Sequence, residues 1–183
     1  MASGLRVAKA DVFEYQAFLD GPSEPSSASL GTGSASVAYD DAAHTLSLNV
    51  TFTGLTGTTT AAHIHGPTAV PGTATAGVIT QTPTFSGFPL GVTSGSYTAT
   101  FNLTQAGSWN TAYINANGGT PASAEAAFAV ALAAGKTYLN IHSSVYGGGE
   151  IRGFLLPVPE PSSLALAGLG ALGLVASLRR QKR

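Results

Sequence analysis

The sequence predicts an all-β protein: an antiparallel Greek-key β-sandwich or barrel with one short helix, followed by a C-terminal apolar helix. Three observations lead there. First, residues 44–54 ("HTLSLNVTFTG") alternate strictly, with Leu46, Leu48, Val50 and Phe52 on one face and Thr45, Ser47, Asn49 and Thr51 on the other. Residues 95–104 repeat the pattern with Tyr97, Ala99, Phe101 and Leu103, and period-two alternation marks a strand with one buried and one wet face. Second, turn-rich stretches such as "DGPSEPS" and "TGLTGTT" separate such runs. Third, charged residues make up only 9% of the chain while glycine occurs 23 times, a composition suited to short strands joined by turns.

Taken in order, strands are expected at 12–19, 34–39, 44–54, 61–65, 77–80, 95–104, 138–142 and 150–155. Eight short strands at this spacing indicate a sandwich or a Greek-key barrel. The interruption at 123–135, "SAEAAFAVALAAG", is alanine-rich and reads as the helix, with Ser123 as its N-cap and Gly135 in the C′ position.

The 183 residues suffice for one domain plus processing segments. Residues 1–10 read as the remnant of an export signal or a start placed too late: Ala8-Lys9-Ala10 has the small-x-small form of a signal-peptidase site, with no apolar run before it. Residues 11–156 form the β domain and 157–183 a tail. Between Asp11 and Val158 two basic residues, Lys136 and Arg152, face eight acids, a net charge of −6. A domain so acidic has no basic patch for phosphates, which excludes nucleic acid as a partner. The chain contains no cysteine, so neither disulfides nor thiolate metal sites can form.

The tail runs Pro159-Glu160-Pro161, then an uncharged segment at 163–178, then Arg179, Arg180, Lys182 and Arg183. Sixteen helical residues span roughly 24 Å, slightly short of a hydrocarbon core of about 30 Å. Such a segment with a basic stop fits a transient transmembrane anchor whose charged end stays cytoplasmic.

The chemistry-bearing residues lie on three strands. In "AAHIHGP" (61–67), His63 and His65 point the same way and Ala62 and Ile64 the other. Residues two apart on a strand lie roughly 6.6 Å apart, near enough for both imidazoles to reach one ion. In "YLNIHS" (138–143), Leu139 and Ile141 form the apolar face, opposite Tyr138, Asn140 and His142. In "GEIRGF" (149–154), Glu150 and Arg152 stand opposite Ile151. If the apolar sets all face the core, His63, His65, His142, Glu150 and Arg152 share the outer, wet face. The three histidines are candidate ligands for one copper or zinc ion, since neutral imidazoles suit either. Glu150, Asn140 or Arg152, or a water, would complete or support the shell. The plainer readings are exposed polar histidines, an asparagine at a strand edge and a Glu150–Arg152 surface pair of little weight. A Ser-His-Asp hydrolase lacks its Gly-x-Ser-x-Gly elbow, and "GGGE" (147–150) is a turn rather than a phosphate loop. Asn49-Val50-Thr51 and Asn102-Leu103-Thr104 match a glycosylation sequon.

Three resemblances add to this reading. The order Pro-Glu-Pro, apolar helix, arginine-rich end resembles the PEP-CTERM sorting signal. That resemblance implies a Gram-negative bacterium, recognition and tail removal by an exosortase, and export linked to extracellular polysaccharide. "AHIHGP", "SWNTAYINANGG" (108–119) and "AGKTYLNIHSSVYGGGEIRGFL" (134–155) resemble the chordin-type (CHRD) domain, from about Val12 to Leu155. The resemblance implies an all-β fold; in animals the domain occurs in chordin, an antagonist of secreted growth factors. More weakly, His-x-His on one strand and "GKTYLNIH" on a later one are similar to the copper-ligand strands of Cu,Zn superoxide dismutase. That similarity implies a superoxide-dismutase-like fold and copper ligation by His63, His65 and His142. No histidine lies between residues 66 and 141, so the bridging and zinc-site histidines of that enzyme are missing.

The leading expectation is an exported, non-catalytic binding module with a three-histidine metal site. It would start as an inner-membrane-anchored precursor and end in the periplasm, on the outer surface or in the extracellular matrix. Its partners would be an exosortase, the membrane through the tail, and an exopolysaccharide or an envelope protein. The alternatives are a copper-dependent redox enzyme and a purely structural or adhesive matrix protein.

Overall fold

The computed structural model describes residues 12–159. The predicted export remnant at 1–10 and the apolar segment at 163–178 lie outside them. Eight strands form one sheet: β1 (Val12–Asp20), β2 (Thr32–Asp40), β3 (Thr45–Thr53), β4 (Thr59–His65), β5 (Gly95–Asn102), β6 (Tyr138–Ser143), β7 (Ile151–Phe154) and the short β8 (Leu156–Pro157). Their order is β4-β6-β7-β1-β2-β3-β5, with β8 beside β1, and every pairing is antiparallel. The fold is thus all-β and antiparallel, as the alternation predicts. β1, β2 and β3 form a meander. The chain then crosses to β4 at the far end of the order and returns to β5 beside β3, a Greek-key style of crossing.

The sheet is curled rather than flat. Inward residues from both halves of the order, Leu19, Val37, Leu48 and Val50 from one and Ala62, Ile64, Leu139, Ile141 and Ile151 from the other, belong to one buried cluster. Only a sheet wrapped around its own inner face can bring them together. The ends are also tied: Thr59 N–H donates to Val92 O at 2.8 Å and Gly91 N–H to Thr59 O at 2.9 Å, joining the start of β4 to the segment ahead of β5.

Two helices close one end, α1 (Thr111–Ala116) and α2 (Pro121–Ala133). Ala124, Phe128 and Leu132 of α2 enter the main core, and Trp109 meets Phe128 edge-to-face at 5.6 Å. Glu125 anchors α2 to the barrel by accepting from the Tyr39 hydroxyl at 3.1 Å and pairing with His44 Nδ1 at 3.0 Å. Gly135 occupies C′ with φ +63°, as expected. The N-cap is Thr120 rather than Ser123: Pro121 takes the first helical position, and Thr120 and Ser123 form a reciprocal capping box. The sequence reading also differs at 77–80, which forms only isolated bridges, Val78 to His65 and Thr80 to Trp109.

The larger difference concerns the face opposite the core. The parity of β4, β6 and β7 is right, but their outer face is not wet. All six residues of β6 are buried. The loops at 21–31, 66–77 and 144–149 bond to polar groups on this face, and 81–94 runs along the free edge of β4, where Phe85 N–H donates to Ala62 O at 3.1 Å, so the face is closed off from water. Close packing leaves no room for side chains at two glycines. A Cβ on Gly149, whose φ is +138°, would lie 2.4 Å from Asn140 Nδ2, and one on Gly153 would lie 2.1 Å from Phe18 O.

Glu150 ties one of these covering segments, 21–31, to the turn at 54–58 ahead of β4. It precedes the first residue of β7, so the strand's parity does not govern it. Its Oε1 accepts from the Ser29 hydroxyl at 2.6 Å and from Thr56 N–H, and its Oε2 accepts from Gly57 N–H at 3.1 Å. Burial alone would raise its carboxyl pKa, but hydrogen bonds from Ser143, Ser29, Thr56 and Gly57 hold it below the ordinary value of 4.5. A depressed carboxyl pKa contributes stability that is present above the unfolded value and lost as pH falls through the folded one. Glu150→Gln, which turns an amide N–H toward a donor, therefore destabilises the domain by about 1–3 kcal/mol at pH 7. Urea unfolding of both proteins shows the gap narrowing below pH 4.5; a gap independent of pH would refute this role.

Candidate metal centre

Antiparallel pairing of β4 with β6 sets Ala61 opposite His142, His63 opposite Asn140 and His65 opposite Tyr138. The three histidines therefore occupy one patch on the outer face. They are 6%, 8% and 9% exposed for His63, His65 and His142, so the covering loops enclose them. One ring nitrogen from each converges: His63 Nδ1 lies 3.2 Å from His142 Nε2, which lies 3.4 Å from His65 Nε2. All three atoms fall within 4.8 Å of one another.

The other ring nitrogen of each imidazole meets a backbone carbonyl from a different loop. His63 Nε2–H donates to Pro83 O at 2.6 Å, His65 Nδ1–H to Ala76 O at 3.0 Å, and His142 Nδ1–H to Gly147 O at 3.0 Å. Carbonyls only accept, so these bonds place the proton on that nitrogen and turn the lone pair of the other one inward. A carbonyl behind each ligating imidazole is the usual support in metal sites.

The remaining predicted residues separate. Glu150 is not beside the histidines, since its two oxygens are engaged with Ser29, Thr56 and Gly57. Asn140 and Arg152 face each other across β6 and β7 and form an adjoining cluster. Asn140 Nδ2 donates to Glu24 Oε2 at 3.2 Å. Arg152 donates to Ser23 O and, through Nη1 at 3.0 Å, to Ala74 O, and its Nε lies 3.8 Å from Glu24 Oε2. It pairs with Glu24, not with Glu150. The Arg152 guanidinium also lies 4.7 Å from the centroid of Tyr138, whose ring stacks on His65 at 5.0 Å and 13°. Sequence reasoning missed Glu24 and Tyr138 as participants. Glu24 sits in a turn-like stretch with no periodicity to reveal its direction, whereas the parity of Tyr138 already placed it on the histidine face.

The family model of the CHRD domain matches residues 15–155. The chain belongs to the CHRD domain family. A second model, the PEP-CTERM protein-sorting motif, matches residues 157–181 and marks the CHRD protein as an exported one. Its membrane-anchored precursor is processed by an exosortase in a Gram-negative bacterium. No curated protein and no solved structure matches the chain. Among the described residues no helix is long and apolar enough to cross a membrane. Only Pro159 of the sorting motif's Pro-Glu-Pro is described.

Electrostatics in the CHRD domain favour neutral histidines. Burial lowers the pKa of His63 and His142, with the bonds to Pro83 and Gly147 opposing it. Burial brings His65 down to about 4, helped by the neighbouring histidines and Arg152 and opposed by the Ala76 carbonyl. At pH 7 the site thus presents three neutral imidazoles with converging lone pairs and no proton among them. After chelation of any metal, long-range ¹H–¹⁵N spectra should show His63 as the Nε2–H tautomer and His65 and His142 as Nδ1–H. His65 should stay neutral to about pH 4. The unfolded chain takes up histidine protons near pH 6.5, so the metal-free domain should lose stability as pH falls below that value. A His65 that titrates near 6.5 in the folded domain would contradict the arrangement.

Proposed function

We propose that this CHRD domain is an exported, non-catalytic binding module that holds one transition-metal ion through His63 Nδ1, His65 Nε2 and His142 Nε2. The observation that carries the proposal is the division of each imidazole: one nitrogen is committed to a loop carbonyl, the other turned inward as an acceptor. Three acceptors facing one another without a donor repel, and a cation reverses the sign of that interaction. Two of the three nitrogen spacings fit as they stand, and the third pair lies within 4.8 Å. Two nitrogens each about 2.0–2.1 Å from one ion at a tetrahedral angle lie about 3.3–3.4 Å apart, close to the 3.2 and 3.4 Å here. An all-nitrogen, thiolate-free set suits zinc or copper(II), and copper binds more tightly at equal availability. With Glu150 held elsewhere, the fourth position belongs to a small ligand from solvent.

In this reading the ion is a structural tie. Each histidine carries one loop, 66–77 through Ala76, 81–94 through Pro83 and 144–149 through Gly147, and the ion joins the three histidines. Full-length protein purified without an affinity tag should contain about one equivalent of zinc or copper, and His63→Ala and His142→Ala less than about a tenth of that. Equal metal in all three proteins would sink the proposal. Stripping the metal should speed amide exchange in the three loops while leaving β1, β2 and β3 unchanged, and at 100 times the Kd the metal stabilises the fold by about 2.7 kcal/mol. Uniform acceleration across the domain would contradict a local tie.

A further inference from the structure

Away from the metal site, the outward face of β1, β2, β3 and β5 is uncovered. Strand register arranges it in rows: Phe18-Ser34-Thr51-Ser96, Gln16-Ser36-Asn49-Thr98 and Glu14-Ala38-Ser47-Thr100. Of these twelve positions only Glu14, at a corner, is charged; hydroxyls and amides dominate. Several hydroxyls are already paired across strands, Ser34 with Thr51 at 2.9 Å and Ser47 with Thr100 at 2.8 Å. Such pairing orders the array before any ligand arrives, which lowers the entropic cost of binding. Phe18 stands among these polar groups with 66% of its surface exposed.

Beside Phe18 runs a groove of about 980 Å³, whose lining combines the polar Gln16, Ser34, Ser36 and Asn49 with the apolar Phe154, Leu156, Val158 and Pro159. Its polar residues offer donors and acceptors, with Ser34 held by Thr51, and its apolar parts include the exposed Phe18 ring, the exposed Leu156 and Val158. A sugar ring has the matching division, C–H groups on its faces and hydroxyls around its edge. Charge narrows the class of glycan. The face carries no cation to pair with a carboxylate or sulfate, and the domain's surplus of acids repels a polyanion.

We infer that this face binds a neutral polysaccharide, seated in the groove with a sugar stacked on Phe18. The site is separate from the histidines and does not depend on the metal reading. Native gel electrophoresis of full-length protein through gels containing cellulose derivatives, xylan, dextran or alginate tests it, in the presence and absence of chelator. The expected result is retardation by at least one neutral glycan and none by alginate, unchanged by chelator. Phe18→Ala and Asn49→Ala should weaken retardation at least tenfold, while Val130→Ala, on the exposed side of α2, leaves it intact. Passage through every neutral gel without retardation overturns the inference, as does equal retardation of Phe18→Ala. Size exclusion gives a further route to refutation: a wild-type dimer that Phe18→Ala converts to monomer, with no glycan retardation, would make the face a contact between copies of this chain.

Discussion

Burial of β6 on both faces is the constraint on which the rest depends. Leu139 and Ile141 face the barrel core, while Tyr138, Asn140 and His142 face the covering loops. A strand buried on both sides cannot leave polar atoms on its second face to water, so each needs a protein partner or a ligand. That requirement accounts for the Asn140–Glu24 bond, the stack of Arg152, Tyr138 and His65, and the carbonyl behind each histidine. Asn140 Oδ1 is an exception, buried without a partner.

The two faces of the molecule treat polarity in opposite ways. Over β4, β6 and β7 the polar groups are held in a closed network and desolvated, and it is the desolvation that depresses the histidine pKa values. Over β1, β2, β3 and β5 they remain in water, with Ser34 paired to Thr51 and Ser47 to Thr100 across strands. Desolvation raises the energetic penalty of breaking that closed network. The solvated face gains no such strength per contact.

Period-two alternation made much of this legible. It placed Ala62, Ile64, Leu139, Ile141 and Ile151 in the core, and by exclusion set His63, His65 and His142 on one common face. It could not reveal that loops cover that face, because loop direction leaves no periodic trace. The same gap hid Glu24 and misplaced Glu150, which lies just outside β7 where alternation has no force. At α2 the Ala-rich run was plain, yet Thr120-Pro121 decided where it begins, a local capping preference that overrode the apparent Ser123 start.

The link between loops and histidines is made through main-chain oxygen atoms of Pro83, Ala76 and Gly147. Every amino acid supplies such an oxygen, so the anchorage is indifferent to what side chains the loops display. Exposed positions in the loops at 66–77, 81–94 and 144–149 can therefore change while the attachment points persist, whereas Gly66 and Gly149, which leave no room for a Cβ, and Phe85 and Phe88, which enter the core, are fixed by packing. This separates the scaffold from its display surface, much as a clamp grips a sheet of paper whatever is printed on it. Exposed loop positions can then be exchanged without rebuilding the barrel beneath.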